Sequence, residues 1–257
     1  MFFFRRVVLF FLPLLLTLDL ILIFLKEQAI PLLNGFYGGV ILISAATYFF
    51  IKQKVTNWQR VLSTIFFPVL FFTAGIFYLL FVEDTLIKVS VIVLINFLLL
   101  IYFYEFNKQA EGFITSSQDR QKDLFLLLEV VIVFFISSGL FGLRDFINLS
   151  LIYLIIINAA LMFVIVSYFV FRLEKVTINK IYYSLILTLV ITELFTAITI
   201  FPLLYYLKGI IISLSYLLIM KVILTSQTAQ LWSKKLTYLA IVIAVILTLV
   251  LLSSRWF

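Results

Sequence analysis

The chain has 257 residues, of which 65% are hydrophobic and 12% are charged, and its formal net charge is +7. Because this composition leaves too little polar surface to cover a water-soluble globule, it excludes a soluble domain as the main architecture. Histidine and cysteine are both absent, which excludes imidazole bases, thiol nucleophiles, disulfides and the usual zinc ligand sets.

Nine apolar segments follow one another along the chain. Each approaches the ~20 residues that a helix needs to cross the hydrocarbon core of a bilayer. The segments cover residues 7–25, 31–51, 61–82, 85–104, 124–143, 146–171, 181–204, 209–224 and 236–252. The predicted fold class is therefore all-α, a polytopic transmembrane helical bundle of about nine spans. Since the connections are short, residues 1–257 are expected to form a single integral membrane domain with no separate soluble domain.

Connections and tails with two or three basic residues alternate along the chain with connections and tails that have one. With the N-terminus inside, fourteen of them fall on the inner side and five on the outer side. The inner residues are Arg5, Arg6, Lys52, Lys54, Arg60, Lys108, Arg120, Lys122, Arg172, Lys175, Lys180, Lys221, Lys234 and Lys235, and the outer ones are Lys26, Lys88, Arg144, Lys208 and Arg255. Because basic residues in short loops remain cytoplasmic, the N-terminus is predicted inside and the C-terminus outside, in the plasma or cytoplasmic membrane.

The eighth segment is the weakest part of this map, since only about 16 residues lie between positions 209 and 224. Such a span must thin the bilayer locally or extend by snorkelling of its terminal side chains. If residues 181–224 formed a re-entrant hairpin instead, the side assigned to everything after them would change.

The positive charge could also indicate a nucleic-acid partner. The basic residues, however, are spread through short loops and form no cluster interleaved with aromatic side chains. We therefore expect contact with the bilayer, chiefly with anionic lipids at the inner loops, and no nucleic acid. The sequence is also compatible with partners that are themselves membrane proteins.

Three polar side chains fall near the centres of their segments: Glu193 in the seventh, Asn96 in the fourth and Asn158 in the sixth. A charged carboxylate at mid-membrane costs ~2.5–3.5 kcal/mol and marks a functional candidate. We therefore predict that Glu193 faces the bundle interior, with a proton or a bound cation compensating its charge. These residues form a candidate midplane substrate or proton site. The alternative is that all three only hydrogen-bond neighbouring helices, at ~0.6 kcal/mol per bond.

The outer half of the predicted bundle is richer in polar groups than the inner half. Asp19 lies in the last third of the first segment, Ser137 and Ser138 lie near the end of the fifth, and Thr196 lies above the midplane of the seventh. Together they predict an outer cavity that opens away from the cytoplasm. Glu129, near the start of the fifth segment, is interpreted as reaching the cytoplasmic interface.

No catalytic motif appears in the sequence, and neither a Walker loop nor paired metal-binding carboxylates are present. We expect no enzyme activity, no cofactor and no metal site. Two functions remain. One is a small-solute, ion or lipid transporter with a polar midplane site around Glu193. The other is a non-catalytic membrane subunit or scaffold of a larger complex, and the scarcity of Gly (8) beside 30 Phe residues mildly favours it, because moving helices rely on small residues.

Overall fold

The computed structural model describes residues 38, 39, 43, 58–110, 118–172, 179–226 and 234–252. Seven helices lie in these ranges, and no strand does. They are α1 (Trp58–Leu79), α2 (Thr85–Ala110), α3 (Gln118–Ile147), α4 (Leu151–Arg172), α5 (Lys180–Ile198), α6 (Tyr205–Ser226) and α7 (Lys234–Leu252). The all-α prediction is therefore confirmed for the described part of the chain.

Five helices are long and apolar enough to cross a membrane. The stretches that qualify are Thr85–Tyr104, Asp123–Ile147, Leu151–Phe171, Lys180–Ile198 and Tyr205–Thr225, in α2 to α6. The apolar stretches of α1 and α7 are shorter, at Phe66–Leu79 and Thr237–Leu249. These helices are compatible with an integral, multi-pass membrane protein. The first predicted segment, and all of the second except residues 38, 39 and 43, lie outside the described residues, so the count of nine spans stays a prediction.

Two connections differ from the predicted boundaries. The sixth segment was expected to begin at residue 146, but α3 continues through Ile147. It ends at Asn148, whose φ of 56° is left-handed and whose N–H donates to the carbonyl oxygen of Arg144 at 3.1 Å. Asn tolerates this conformation better than most residues. Phe146 and Ile147 follow the charged Arg144 and Asp145, so the sequence groups them with the apolar residues of the next segment, which explains the misplaced boundary.

The eighth segment is longer than predicted. Helix α6 begins at Tyr205 and has 22 residues, so Gly209 lies inside the helix and does not form the turn. A helix of this length crosses the bilayer core without thinning it. The turn lies earlier, because α5 already ends at Ile198.

Short polar side chains begin two of the helices. An Asp84 carboxylate oxygen accepts from the N–H groups of Leu86 and Ile87 at 2.7 and 3.1 Å at the start of α2. The Asn179 side chain accepts from the N–H of Ile181 at 3.2 Å at the start of α5. These contacts satisfy N–H groups that have no partner within the helix, as N-caps do.

The chain divides into two compact units, residues 1–124 and 125–257. In the first unit, α1 packs against α2, and the rings of Phe67 and Tyr102 stack between them with their centroids 5.4 Å apart. Leu79 and Ile95 are fully buried in this pair. The described part of this unit is therefore a helical hairpin with an aromatic core.

In the second unit, α3 is the most buried of the potential spans. In its most apolar window 67% of the residues are buried, against 33% in α5. Helices α4 and α5 pack on each other, as do α5 and α6, and α6 and α7. The Phe141 ring of α3 stacks on the Phe195 ring of α5 at 4.4 Å. Helix α3 thus lies in the interior of this unit, and its polar side chains are candidates for a buried site.

Candidate buried polar sites

Glu129 of α3 is the buried carboxylate of the described residues, with only 1% of its surface exposed. The hydroxyl group of Tyr216, which is fully buried on α6, donates to the Glu129 Oε2 atom at 3.2 Å. Tyr216 lies at the midpoint of α6, roughly 16 Å from either end at 1.5 Å per residue. Glu129 itself lies six residues, or about 9 Å at 1.5 Å per residue, inside the apolar stretch that begins at Asp123.

The interpretation of Glu129 as an interfacial side chain is wrong. The apolar stretch begins at Asp123, close to the predicted residue 124, but the Glu129 side chain is buried against α6 and does not extend to the interface. Its partner, moreover, comes from a helix that the sequence gave no reason to pair with it.

Glu193 is exposed on α5, so within the second unit it does not face the interior, and the midplane site expected around it stays a prediction. Its neighbours Ile191 and Phe195, two positions before and two positions after, are both buried. At 3.6 residues per turn, a residue two positions from each of two buried residues points away from them. Glu193 therefore lies on the outward face of this unit.

Thr196 belongs to a ladder of hydroxyl groups along α5, formed by Ser184, Thr188, Thr192 and Thr196. Each hydroxyl donates to the backbone carbonyl oxygen four residues earlier, at 2.7 to 2.8 Å. Thr196 also donates to the carbonyl oxygen of Glu193 at 2.9 Å. The hydroxyl of Thr196 thus donates to its own helix, and its part in an outer cavity stays a prediction.

The two central asparagines are buried but lie in different units. Asn96, in the first unit, donates from Nδ2 to the carbonyl oxygen of Ile92 at 2.8 Å, and its Oδ1 atom has no hydrogen-bond partner among the described residues. Asn158, in the second unit, is fully buried, and neither of its amide atoms has such a partner. Since Asn158 is buried and Glu193 is exposed, these two residues do not form a common buried site.

Ser137 and Ser138 of α3 are fully buried, and neither hydroxyl has a hydrogen-bond partner in the described part of the chain. Ser138 lies directly against Gly209 of α6, where a Cβ atom would overlap its Oγ atom and lie 3.0 Å from its backbone nitrogen. Asp19, the remaining member of the predicted outer cavity, lies outside the described residues. The predicted serines are therefore brought to a close crossing of α3 and α6.

A buried lysine lies next to this crossing. The Lys208 side chain is 7% exposed, and its Nζ atom lies 3.9 Å from the Asp145 Oδ1 atom, whose side chain is 37% exposed. The Nζ atom also lies 5.5 Å from the centroid of the Phe141 ring. Arg144 donates to the carbonyl oxygen of Thr199 at 3.4 Å. Two cations and one carboxylate thus lie where the ends of α3 and α5 meet the start of α6. We call Lys208, Asp145, Arg144 and Ser138 the Lys208 cluster.

Sequence reasoning missed the Glu129–Tyr216 pair and the burial of Lys208. Lys208 was counted among the five basic residues of the outer connections. One signal was available: Arg144, Asp145 and Lys208 are charged residues on consecutive outer connections, where opposite charges can meet. Glu129 and Tyr216 are 87 residues apart, and no local pattern connects them.

Among the described residues there is no group of three or more His, Cys, Asp or Glu side chains that could hold a metal ion. No protein family, characterised protein or solved structure matches the chain.

Proposed function

We propose that this chain is a transporter for a small solute or ion, and that Glu129 and Tyr216 form its proton-binding centre. The observation that carries this proposal is a nearly inaccessible carboxylate within the apolar stretch of α3, bonded to a tyrosine at the midpoint of another apolar helix. Ionisable groups at such depth are expensive and are typical of proton relays and substrate pathways. The proposed site replaces the one expected around Glu193.

The chemistry of the pair suits reversible proton binding. A carboxylate accepts a hydrogen bond from the tyrosine hydroxyl, and a protonated carboxyl can donate to the same oxygen after the hydroxyl rotates. Tyr216 can therefore stay bonded to Glu129 in both states. Both groups project from long apolar helices, so a proton bound there is held inside the membrane-spanning part of the second unit.

The test is proton uptake into vesicles that contain the purified chain and an encapsulated pH-sensitive dye. A panel of sugars, amino acids, organic acids and inorganic phosphate is added in turn under an imposed membrane potential. At least one solute is expected to stimulate uptake. Glu129→Gln should reduce the stimulated rate to that of empty vesicles, because an amide cannot release a proton. Tyr216→Phe should lower it about ten-fold, as loss of a hydrogen bond to a charged group implies.

Glu193→Gln is the matched control, because it makes the same change on the exposed face of α5. It should leave the stimulated rate unchanged. If no solute moves protons, or if Glu129→Gln behaves like the control, the transport proposal fails.

The second candidate function is a non-catalytic subunit of a membrane complex. It is favoured by the exposure of Glu193 beside apolar side chains such as Leu189, which is 58% exposed. A carboxylate facing acyl chains is costly, and a donor on a partner helix would remove that cost. If the chain is such a subunit, Glu193→Gln should dissociate a complex that is resolved on native gels, and Glu129→Gln should leave the proton flux unchanged.

The proposed topology has nine spans, with the N-terminus inside and the C-terminus outside. A reporter that is active only outside the cytoplasm should be active when fused after Phe257. The same reporter inserted within residues 112–118 should be silent, because the basic residues flanking that connection hold it inside. A silent C-terminal fusion contradicts this topology, since it requires an even number of crossings.

A further inference from the structure

We infer that the Lys208 cluster binds an oxyanion group, a carboxylate or a phosphate, carried by a small solute or by a lipid headgroup. Naming this group as the substrate class rests on the proposed transport function, whereas the binding itself does not. The inference is carried by a largely buried lysine and by a hydroxyl group that has no partner among the described residues, on the helix that crosses beside it. Three observations support it.

The first observation is that the Lys208 side chain is only 7% exposed and that its ammonium group lies beyond hydrogen-bond distance of its ion-pair partner. Its distance of 3.9 Å to Asp145 Oδ1 exceeds the ~2.7–2.9 Å of a charge-assisted hydrogen bond. Asp145 is the ion-pair partner of Lys208 within the described ranges. An ammonium group has three donors, and burying them unbonded is costly. A ligand oxygen beside Nζ would remove this cost.

The second observation is the state of the Ser138 hydroxyl. In α5 of the same unit, the buried hydroxyl of Thr188 donates to its own backbone at 2.8 Å, as helical hydroxyls ordinarily can. The fully buried hydroxyl of Ser138 does not. It lies against Gly209, the residue that follows Lys208. A donor without a partner in the described part of the chain therefore lies on α3 against the residue that follows Lys208 on α6.

The third observation is the balance of charge. Lys208 and Arg144 supply two positive charges against the single carboxylate of Asp145, which is partly open to solvent. Lys208 also lies in the first turn of α6, where the helix dipole is positive and a cation is disfavoured. The C-terminal carbonyl groups of α5 offset part of this, since Thr199 accepts from Arg144. The remaining positive potential attracts an anion.

The Asp145 carboxylate lies where an anion would bind, but it does not approach the Lys208 ammonium group closely enough for a hydrogen bond. A bound carboxylate or phosphate would compete with Asp145 for the ammonium group. In a transporter, an anion at Lys208 and a proton at Glu129 would both be held by α3, about 14 Å apart along its axis from Ser138 to Glu129 at 1.5 Å per residue. The proposed solute is accordingly an anion that travels with protons.

The experiment measures binding of acetate and inorganic phosphate to the purified full chain in a neutral detergent, by the ligand-dependent shift of its thermal unfolding. Lys208→Gln should weaken binding about ten-fold or more, because it removes a charged donor, and Lys208→Arg should restore most of it. Ser138→Ala should weaken binding less, without loss of folding. Asp145→Asn should tighten binding, because it removes the competing carboxylate.

Lys221→Gln, a lysine change at the far end of α6, is the control and should leave binding unchanged. The source of the anion is distinguished with vesicles of phosphatidylcholine alone or with phosphatidylglycerol. If the headgroup is the ligand, phosphatidylglycerol stabilises the wild-type chain but not Lys208→Gln, and free phosphate has little effect.

The inference is overturned if Asp145→Asn and Lys208→Gln both destabilise the chain and neither changes anion binding, because the pair is then only a structural ion pair. If anions bind but do not stimulate proton uptake, the anion site is supported and the transport function is rejected. If only uncharged solutes stimulate proton uptake, the transport function is supported and the anion is rejected as its substrate.

Discussion

Phe195→Ala is expected to lower the free energy of unfolding of the second unit by about 3 kcal/mol, at the lower end of the ~3–5 kcal/mol range for a buried Phe. Phe195 is fully buried, and its ring stacks on Phe141 with centroids 4.4 Å apart and an interplanar angle of 16°. The lower end applies because lipid is as apolar as the protein interior, so lost packing contributes more than transfer from water. Titration with SDS in mixed micelles measures the change.

Leu189→Ala on the same helix is the matched control for this prediction. Leu189 is 58% exposed, so its truncation leaves no internal cavity and should change the free energy of unfolding by less than ~0.5 kcal/mol. Equal losses for the two variants would show that the packing of α3 on α5 does not stabilise the unit. Phe141→Ala should match Phe195→Ala, and the double variant should cost less than the sum, because the two rings contact each other.

Gly209→Ala is expected to lower the free energy of unfolding by ~1–3 kcal/mol, as overpacking does, although alanine ordinarily stabilises a helix interior relative to glycine. The new Cβ atom would overlap Ser138 Oγ and lie 3.0 Å from both the Cβ and the backbone nitrogen of Ser138. Rotation of the hydroxyl relieves only the first of these contacts, so α3 and α6 must separate. Thermal unfolding in detergent measures the loss.

The double variant Gly209→Ala with Ser138→Gly should recover part of this loss, because the side chain that the new methyl group meets is gone. Gly38→Ala is the control, since nothing lies within 4 Å of a Cβ atom at Gly38, and it should be neutral or slightly stabilising. A Gly209→Ala chain as stable as the wild type would mean that α3 and α6 do not cross at this distance.

The presence of the helices could be predicted from the sequence, but which way their side chains face could not. Helix α2 begins at Thr85, as predicted, because a long apolar run that follows a polar connection is a strong signal for a spanning segment. The exposed face of Glu193 could not be predicted because α5 carries large apolar side chains on its buried and on its exposed face alike, such as Phe195 and Leu189. In a membrane the surroundings are as apolar as the interior, so the periodicity that reveals the buried face of a soluble helix is lost.

The candidate site was only partly predictable for a related reason. Ser137 and Ser138 could be chosen because they are polar within an apolar run, and they are buried together. The partners of a buried group, however, come from helices distant in sequence. Tyr216 carries no charge and attracts no attention on its own, and Lys208 looked like one of the basic residues that set topology. Only the packing of α3 against α6 shows that both are buried.

The ladder of hydroxyl groups along α5 affects how the nascent chain enters the bilayer. The Lys180–Ile198 stretch has the lowest mean hydropathy of the five potential spans, 1.8, and by composition it should be the hardest for the translocon to release into lipid. Thr188 and Thr192, however, form their hydrogen bonds within the same helix, so this polarity is already neutralised before any neighbouring helix arrives. Asparagine at these positions would raise the insertion cost more than hydropathy alone suggests, because its amide cannot be satisfied within one turn.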